Sequence, residues 1–312
     1  MTSVFTGYTA AFVGTAILGL ALNSVIVASS FKRLLRLSSS TFLTYFLCLS
    51  DALISAADAA IGIGSLAFGH SLDSKTTCHL HAVIQILGGT SSLLLCLGLI
   101  IIRYLEIIQD YVITLRVAQI YTASVLCFAI FVVTLPFILN SAARTYTLHP
   151  SGVYCCTDWA AKDPSSLAVI TMNLITILPP VLFITYAYMA IYLKFAKSVI
   201  IMKSVSMQLG VENAPFPKDR NYKTQDFTAT QSKCSEDLRP VLNASFSGKS
   251  HALSGSGVAR ATDEQVELLK QSVIIVSAFL IGWLPYAILI LQEIATSQHW
   301  SPALDFFAIY CT

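Results

Sequence analysis

Charged side chains are scarce in this chain: Asp, Glu, Lys and Arg make up 12% of its 312 residues, while 55% are hydrophobic. A soluble domain carries about 25% charged residues. The surplus of apolar surface therefore predicts a protein that faces lipid. No basic region precedes the first apolar run, from about Tyr8 to Phe31. Because that run is long enough to span a bilayer, we expect no cleavable signal peptide.

Patterns typical of enzymes and of nucleic-acid-binding proteins are also missing. The sequence contains no metal-binding cluster, no nucleophile–base pair and no phosphate-binding loop. No basic patch is interleaved with aromatic residues, and the net charge of +2 does not favour nucleic acid. We therefore expect no enzymatic activity, no catalytic residues, no bound metal and no nucleic-acid partner.

Seven hydrophobic segments divide the chain, and a membrane-spanning helix needs about 20 residues. They lie near residues 8–31, 41–66, 79–108, 117–139, 166–196, 266–295 and 302 onward. The seventh rises only about 16 Å before Thr312, which is half a membrane. The predicted fold class is an all-α membrane protein, a seven-transmembrane helix bundle over residues 1–312 whose seventh helix is truncated.

The distribution of Lys and Arg predicts the orientation of the chain. With the N-terminus outside, 16 of the 19 basic residues lie on the cytoplasmic side, in agreement with the positive-inside rule. Residues 197–263 are polar and lack an apolar period, which predicts a disordered cytoplasmic loop. We expect a multi-pass protein of the plasma membrane, surrounded by lipid.

Residues that are unusual inside membrane helices recur in five of the segments. They are Asn23, Asp51, Cys78 with Arg103-Tyr104, Pro179-Pro180 with Tyr188, and Gly282-Trp283-Leu284-Pro285. A cation costs roughly 2.5–3.5 kcal/mol in hydrocarbon, so Arg103 is expected at a helix end or in a wet interior. This set, at these spacings, resembles the rhodopsin-like G-protein-coupled receptors.

The resemblance implies a role for each of these residues. Arg103, Tyr104, Tyr188 and Pro285 would form the switch that meets a heterotrimeric G protein. Asn23, Asp51 and Ser92 would join a sodium or water network. Cys78 would form a disulfide with a cysteine of the second outer loop. Alignment on Asp158 favours Cys155 as that partner, and Cys156 is the alternative.

Three stretches narrow the resemblance to opsins, which hold retinal as a protonated Schiff base on a lysine of the seventh helix. The stretches are residues 87–89, 155–159 and 279–287. The implied ligand pocket contains His81, Gln85, Gly88, Gly89, Trp283 and Tyr286. The two glycines would let a flat ligand approach the backbone or would let helices pack closely. Opsin spacing places the attachment lysine one or two residues beyond Thr312.

The sequence departs from the opsin pattern at two charged positions, one near Cys78 and one beside Arg103. His81 stands where opsins often place a carboxylate or tyrosine, and a neutral histidine cannot balance a cation. Asp58 lies two helical turns from Asp51 on the same face. It is the candidate counterion if retinal binds, and otherwise lines a water-filled outer vestibule. Ile102 replaces the acid that precedes the arginine, which predicts a weakened resting state and raised basal signalling.

The sequence therefore predicts a receptor that passes a signal to a G protein, with three hypotheses for its function. The first is an opsin-like photoreceptor with retinal as its chromophore. The second is a receptor for a diffusible small molecule without retinal. An amine is disfavoured there, because Gln85 replaces the aspartate that amine receptors use. The third, a transporter or channel, predicts inverted repeats, which the sequence does not show.

Overall fold

The computed structural model describes the chain in two compact units, Met1–Leu193 with Ser272–Thr312, and Lys194–Gln271. The residues described are 3–32, 37–68, 74–109, 111–149, 153–208, 285, 287–296 and 298. In the second unit these are residues 194–208, which are helical.

The described residues are mostly helical. In chain order the elements are α1 (Ser3–Phe31), α2 (Ser39–Phe68), α3 (Lys75–Ile108), α4 (Leu115–Ile138), α5 (Ala142–Thr145), β1 (Tyr146–Leu148), β2 (Cys155–Thr157), α6 (Pro164–Gln208) and α7 (Ala287–Thr296). Among them α1, α2, α3, α4 and α6 are long and apolar enough to cross a membrane. These five helices confirm the first five predicted segments. Most of the sixth segment and all of the seventh lie outside the described residues.

Helix ends fall where the sequence supplies capping groups. Ser74 precedes α3, and its hydroxyl accepts the backbone N–H of Thr77 at 3.2 Å. Asp163 precedes α6 and accepts the N–H of Ser166 at 3.0 Å, while Pro164 occupies the first turn, where its missing N–H costs nothing. Asn140 ends α4 in the left-handed region at φ 52°, a conformation that asparagine tolerates better than most residues.

Small residues let the first two helices approach each other closely. A Cβ built on Gly62 of α2 would overlap the side chain of Val13, and one on Gly19 of α1 would lie 2.9 Å from the hydroxyl of Ser55. Packing in membranes relies on such close contact, because lipid supplies no hydrophobic drive between helices. We conclude that these glycines fix the α1–α2 interface.

The third helix is the centre of the packing. Its Leu95 and Ile102 join an apolar cluster with Phe42 and Leu43 of α2 and residues of α4. Its Leu93 and Ile100 join another with Ile184, Ala187 and Tyr188 of α6. By contrast, large apolar side chains such as Val25, Ile120 and Leu182 are at least two-thirds exposed. Exposed apolar side chains of this size are expected on a surface that faces lipid.

A short hairpin covers one end of the helices. Strands β1 and β2 are antiparallel, with Leu148 opposite Cys155, and Tyr146 donates its hydroxyl to the Val133 carbonyl of α4 at 3.1 Å. Burial raises the pKa of Tyr146, so this phenol stays a neutral donor. Phe12 of α1 stacks on Tyr154 beside β2. The hairpin thus contacts both α1, through Phe12, and α4, through Val133.

Helix α6, which corresponds to the fifth predicted segment, runs further than the sequence predicted. The spanning part of α6 was expected to end near residue 196, but the helix continues to Gln208. It therefore extends into the segment 197–263 that was predicted to be a disordered loop. Residues 209–263 lie outside the described part of the chain, and the loop there stays a prediction.

Candidate functional site

We call the end of the helices near Cys78 the disulfide end, and the end near Arg103 the arginine end. At the disulfide end, three polar side chains meet between α2 and α3. Asp58 Oδ1 lies 2.9 Å from His81 Nε2 and also accepts a hydrogen bond from Gln85 Nε2. The His81 side chain is 1% exposed and that of Asp58 is 15% exposed. We refer to Asp58, His81 and Gln85 as the Asp58 cluster.

The hairpin covers this cluster and is covalently attached above it. Cys155 of β2 forms a disulfide with Cys78 of α3, with their Cα atoms 5.3 Å apart. The backbone N–H of Cys155 donates to His81 Nδ1 at 3.2 Å. Of the two partners that the sequence allowed for Cys78, the structure therefore has Cys155. Cys156 points elsewhere, with its thiol 3.3 Å from the carbonyl oxygen of Thr157.

The two glycines predicted to border a ligand lie in different surroundings. A Cβ built on Gly88 would overlap the Ile54 side chain of α2, with Cδ1 at 2.7 Å. A Cβ built on Gly89 would have no neighbour within 4 Å among the described residues. Gly88 therefore has a packing reason for being small, and Gly89 has no such reason among the described residues.

We expect Gly88→Ala to destabilise the protein by about 1–3 kcal/mol relative to Gly89→Ala, the usual cost of overpacking. Both substitutions gain the same helix propensity, about 1 kcal/mol, so the difference isolates the clash with Ile54. Thermal unfolding of purified protein in detergent measures it, and in an Ile54→Ala background the two glycine variants should be equally stable, because the clashing side chain is gone. Equal stability of the two glycine variants with Ile54 present would contradict this assignment.

A second carboxylate lies deeper in α2. Ser92 of α3 lies near enough to Asp51 to interact with it, and so do the thiols of Cys48 and Cys96. Asn23 donates to the Gly19 carbonyl of its own helix at 3.0 Å. Asp51 and Ser92 are therefore neighbours, and the network that would join them with Asn23 stays a prediction.

At the arginine end, the residues of the predicted switch are partly assembled. Arg103 is exposed at the end of α3. The Tyr104 ring contacts the rings of Phe183 and Tyr186 of α6, with centroids 6.3 Å away in both cases. Tyr188 is buried in the α3–α6 cluster and close enough to Arg103 to interact with it electrostatically. The structure therefore brings Arg103 and Tyr188 to the same region.

Ile102, which directly precedes Arg103, is an apolar residue with apolar neighbours. Ile102 is 3% exposed and packs in the cluster with Phe42 and Leu43. Glu106 lies one turn after Arg103 and interacts with it electrostatically, as neighbours three apart on a helix do. An acid at position 102 would therefore enter an apolar contact.

Two described residues of the sixth segment bear on function: Pro285, which the sequence analysis had singled out, and Glu293, which it had not. Pro285 is helical, while Trp283 and Tyr286 lie outside the described residues. Glu293 of α7 is 1% exposed, on a helix whose Ile290 packs against Trp159 and Ile170. A carboxylate in an apolar segment is a signal of function. The argument that singled out Asp51 could have identified Glu293 as well.

Comparison with known proteins fits this arrangement. The family model described as "7 transmembrane receptor (rhodopsin family)" matches residues 23–312. The chain belongs to the rhodopsin family of seven-transmembrane receptors. No curated protein sequence matches the receptor significantly.

The fold of the receptor is similar to a solved structure, described as the crystal structure of squid rhodopsin. The TM-score is 0.65, and the match covers 99% of the receptor and 79% of the squid chain. The two sequences are 17% identical, so this likeness shows a common fold. Family membership makes the chain a multi-pass membrane receptor that signals through G proteins, and no enzyme family is indicated.

Proposed function

We propose that this receptor is an opsin-like photoreceptor, with retinal held among the helices and Asp58 as the counterion of its cationic nitrogen. The observation that carries the proposal is the Asp58 cluster, a carboxylate at the disulfide end that accepts hydrogen bonds from His81 and Gln85. A carboxylate placed in a membrane helix is costly and usually has a cationic or polar partner. His81 and Gln85 are polar partners of Asp58, and a ligand with one positive nitrogen would supply a cationic one.

The residues of the disulfide end fit such a ligand. No described residue lies within 4 Å of a Cβ built on Gly89, and Gly89 lies one helical turn from Gln85 on the same face of α3. The retained 15% exposure of the Asp58 side chain shows that the described residues do not fully enclose it. Retinal, when bound, supplies absorption of visible light and a change of shape. The lysine that would hold it is expected one or two residues beyond Thr312.

Signal transfer is proposed to run through the sixth segment. Pro285 removes a backbone hydrogen bond from its helix and allows two bends. The indole of Trp283, two residues earlier, would sense the shape of the ligand and shift the population between these bends. Movement at the arginine end would then expose Arg103 to a heterotrimeric G protein, with Tyr104 and Tyr188 beside it. This scheme places the N-terminus and the hairpin outside the cell.

The proposal is tested by adding 11-cis-retinal to purified full-length receptor. We expect a visible absorption band, and Asp58→Asn should replace it with a near-ultraviolet band at neutral pH. Removing an adjacent negative charge lowers the proton affinity of a cationic nitrogen about 10- to 1,000-fold. Lower pH should restore the visible band in the variant.

Asp51→Asn is the matched control, because it removes the other α2 carboxylate and should leave the band in place. An unchanged spectrum in Asp58→Asn would remove Asp58 from the role of counterion. No band in the wild-type receptor, or a residue other than lysine at both positions after Thr312, would leave the second function: a receptor for a diffusible ligand. The Asp58 cluster favours a ligand with a positive or hydrogen-bond-donating group in that case.

A further inference from the structure

The two ring nitrogens of His81 have different partners, and together these partners define its protonation. Nδ1 accepts the backbone N–H of Cys155 at 3.2 Å. An imidazole nitrogen that accepts a hydrogen bond carries no hydrogen, and a protonated imidazolium has hydrogens on both nitrogens. His81 is therefore neutral in this arrangement, with its hydrogen on Nε2. That hydrogen is donated to Asp58 Oδ1 at 2.9 Å.

The remaining contact within the cluster agrees with this tautomer. Gln85 Nε2 and His81 Nε2 lie 3.4 Å apart. Since both nitrogens carry hydrogen, they do not bond each other but converge as donors on Oδ1 of Asp58. Both donors are neutral, so neither cancels the charge of an ionised Asp58. No Lys or Arg takes part in the hydrogen bonds of this cluster among the described residues.

The N–H that sets the tautomer belongs to a constrained backbone. Cys155 is tied to α3 by its disulfide with Cys78 and to β1 by pairing with Leu148. It is 3% exposed. Protonating Nδ1 of His81 would place two N–H groups against each other, so the loop opposes formation of the imidazolium.

We propose that the hairpin determines the charge of the Asp58 cluster. The Cys155 N–H holds His81 as the neutral Nε2–H tautomer. His81 then acts as a positioning residue that leaves a net negative charge on Asp58 for a cationic nitrogen. The assignment of that nitrogen to a ligand rests on the proposed function. The locking of His81 rests on the hairpin alone and holds with or without retinal.

The test reads the protonation of His81 directly, in full-length receptor labelled with ¹⁵N-histidine and kept free of retinal. The chain has 6 histidines, and the pair of resonances that disappears in His81→Gln assigns His81. We expect an unprotonated Nδ1 and a protonated Nε2 at neutral pH. A doubly protonated ring, or the Nδ1–H tautomer, would overturn the proposal.

A second variant separates the loop from the carboxylate as the determinant of the tautomer. In Asp58→Asn the Cys155 N–H remains, so the His81 resonances should still report Nε2–H. A change of tautomer in this variant would show that Asp58, rather than the loop, sets the state of His81. Failure of retinal to bind affects neither readout, so the outcome is independent of the proposed photoreceptor function.

Discussion

Replacing Cys155 with serine is expected to destabilise the folded receptor by about 2–5 kcal/mol, the usual cost of losing a native disulfide. The bond joins residues 77 positions apart, and loops of such length lose the most chain entropy when closed. The hairpin would also lose its attachment above His81. We expect less folded receptor at the cell surface and a lower temperature of unfolding in detergent.

Cys156→Ser is the matched control, since the adjacent side chain is half-buried and a serine hydroxyl can keep the contact with the Thr157 carbonyl. This variant should stay within about 1 kcal/mol of the wild type, as most substitutions away from key contacts do. The double variant Cys78→Ser/Cys155→Ser should be as unstable as the single one. If Cys156→Ser proves the more damaging change, the bridge is formed by Cys156 and the described pairing is wrong.

Introducing an acid at position 102, directly before Arg103, is expected to lower both the basal activity and the stability of the receptor. Ile102→Glu should lower basal activation of the G protein by up to about fivefold. A carboxylate that turns out of the cluster toward the exposed Arg103 would add no more than the 0.2–1 kcal/mol of a surface ion pair, about the value given by double-mutant cycles, to the resting state. The same change should cost about 2–5 kcal/mol of stability, the range for deleting a buried isoleucine side chain. Ile102 packs with Phe42 and Leu43, and a carboxylate there has no partner in the cluster.

Ile102→Gln separates the two effects, since glutamine has the shape of glutamate without its charge. It should lose the same apolar packing while leaving basal activity high, when nucleotide exchange is normalised to the amount of folded receptor. Equal basal activity of the Glu and Gln variants would mean that an acid at this position does not restrain Arg103. A Gln variant as stable as the wild type would contradict the packing of Ile102.

Much of the fold could be predicted because a bilayer imposes a strong and local rule. Each crossing needs about 20 apolar residues with internal backbone hydrogen bonds, and that length is readable from sequence alone. The predicted segment 79–108 lies within α3, whose observed bounds are Lys75–Ile108. Its extra first turn is explained by the Ser74 cap. The end of α6 was predicted less well, because the length rule sets how many residues a crossing needs and not how far a helix continues beyond it.

The candidate site was harder to predict, because its residues come from different elements. Residue type and spacing placed Asp58 and His81 near the same end, but not in contact. The choice between Cys155 and Cys156 is a choice between two neighbours in a strand whose side chains point to opposite faces. Sequence alone left both open.

The amino-acid sequence by itself determined that the chain crosses a membrane, where the first five crossings lie, and which ionisable residues are placed within them. These follow from the free energy of transfer, which depends on each segment separately. Only the tertiary structure decided that Gly88 is small because of Ile54, that Ile102 is buried, and that a backbone N–H reaches His81. Such facts depend on which atoms of distant segments meet, and a pattern along one segment does not contain that information.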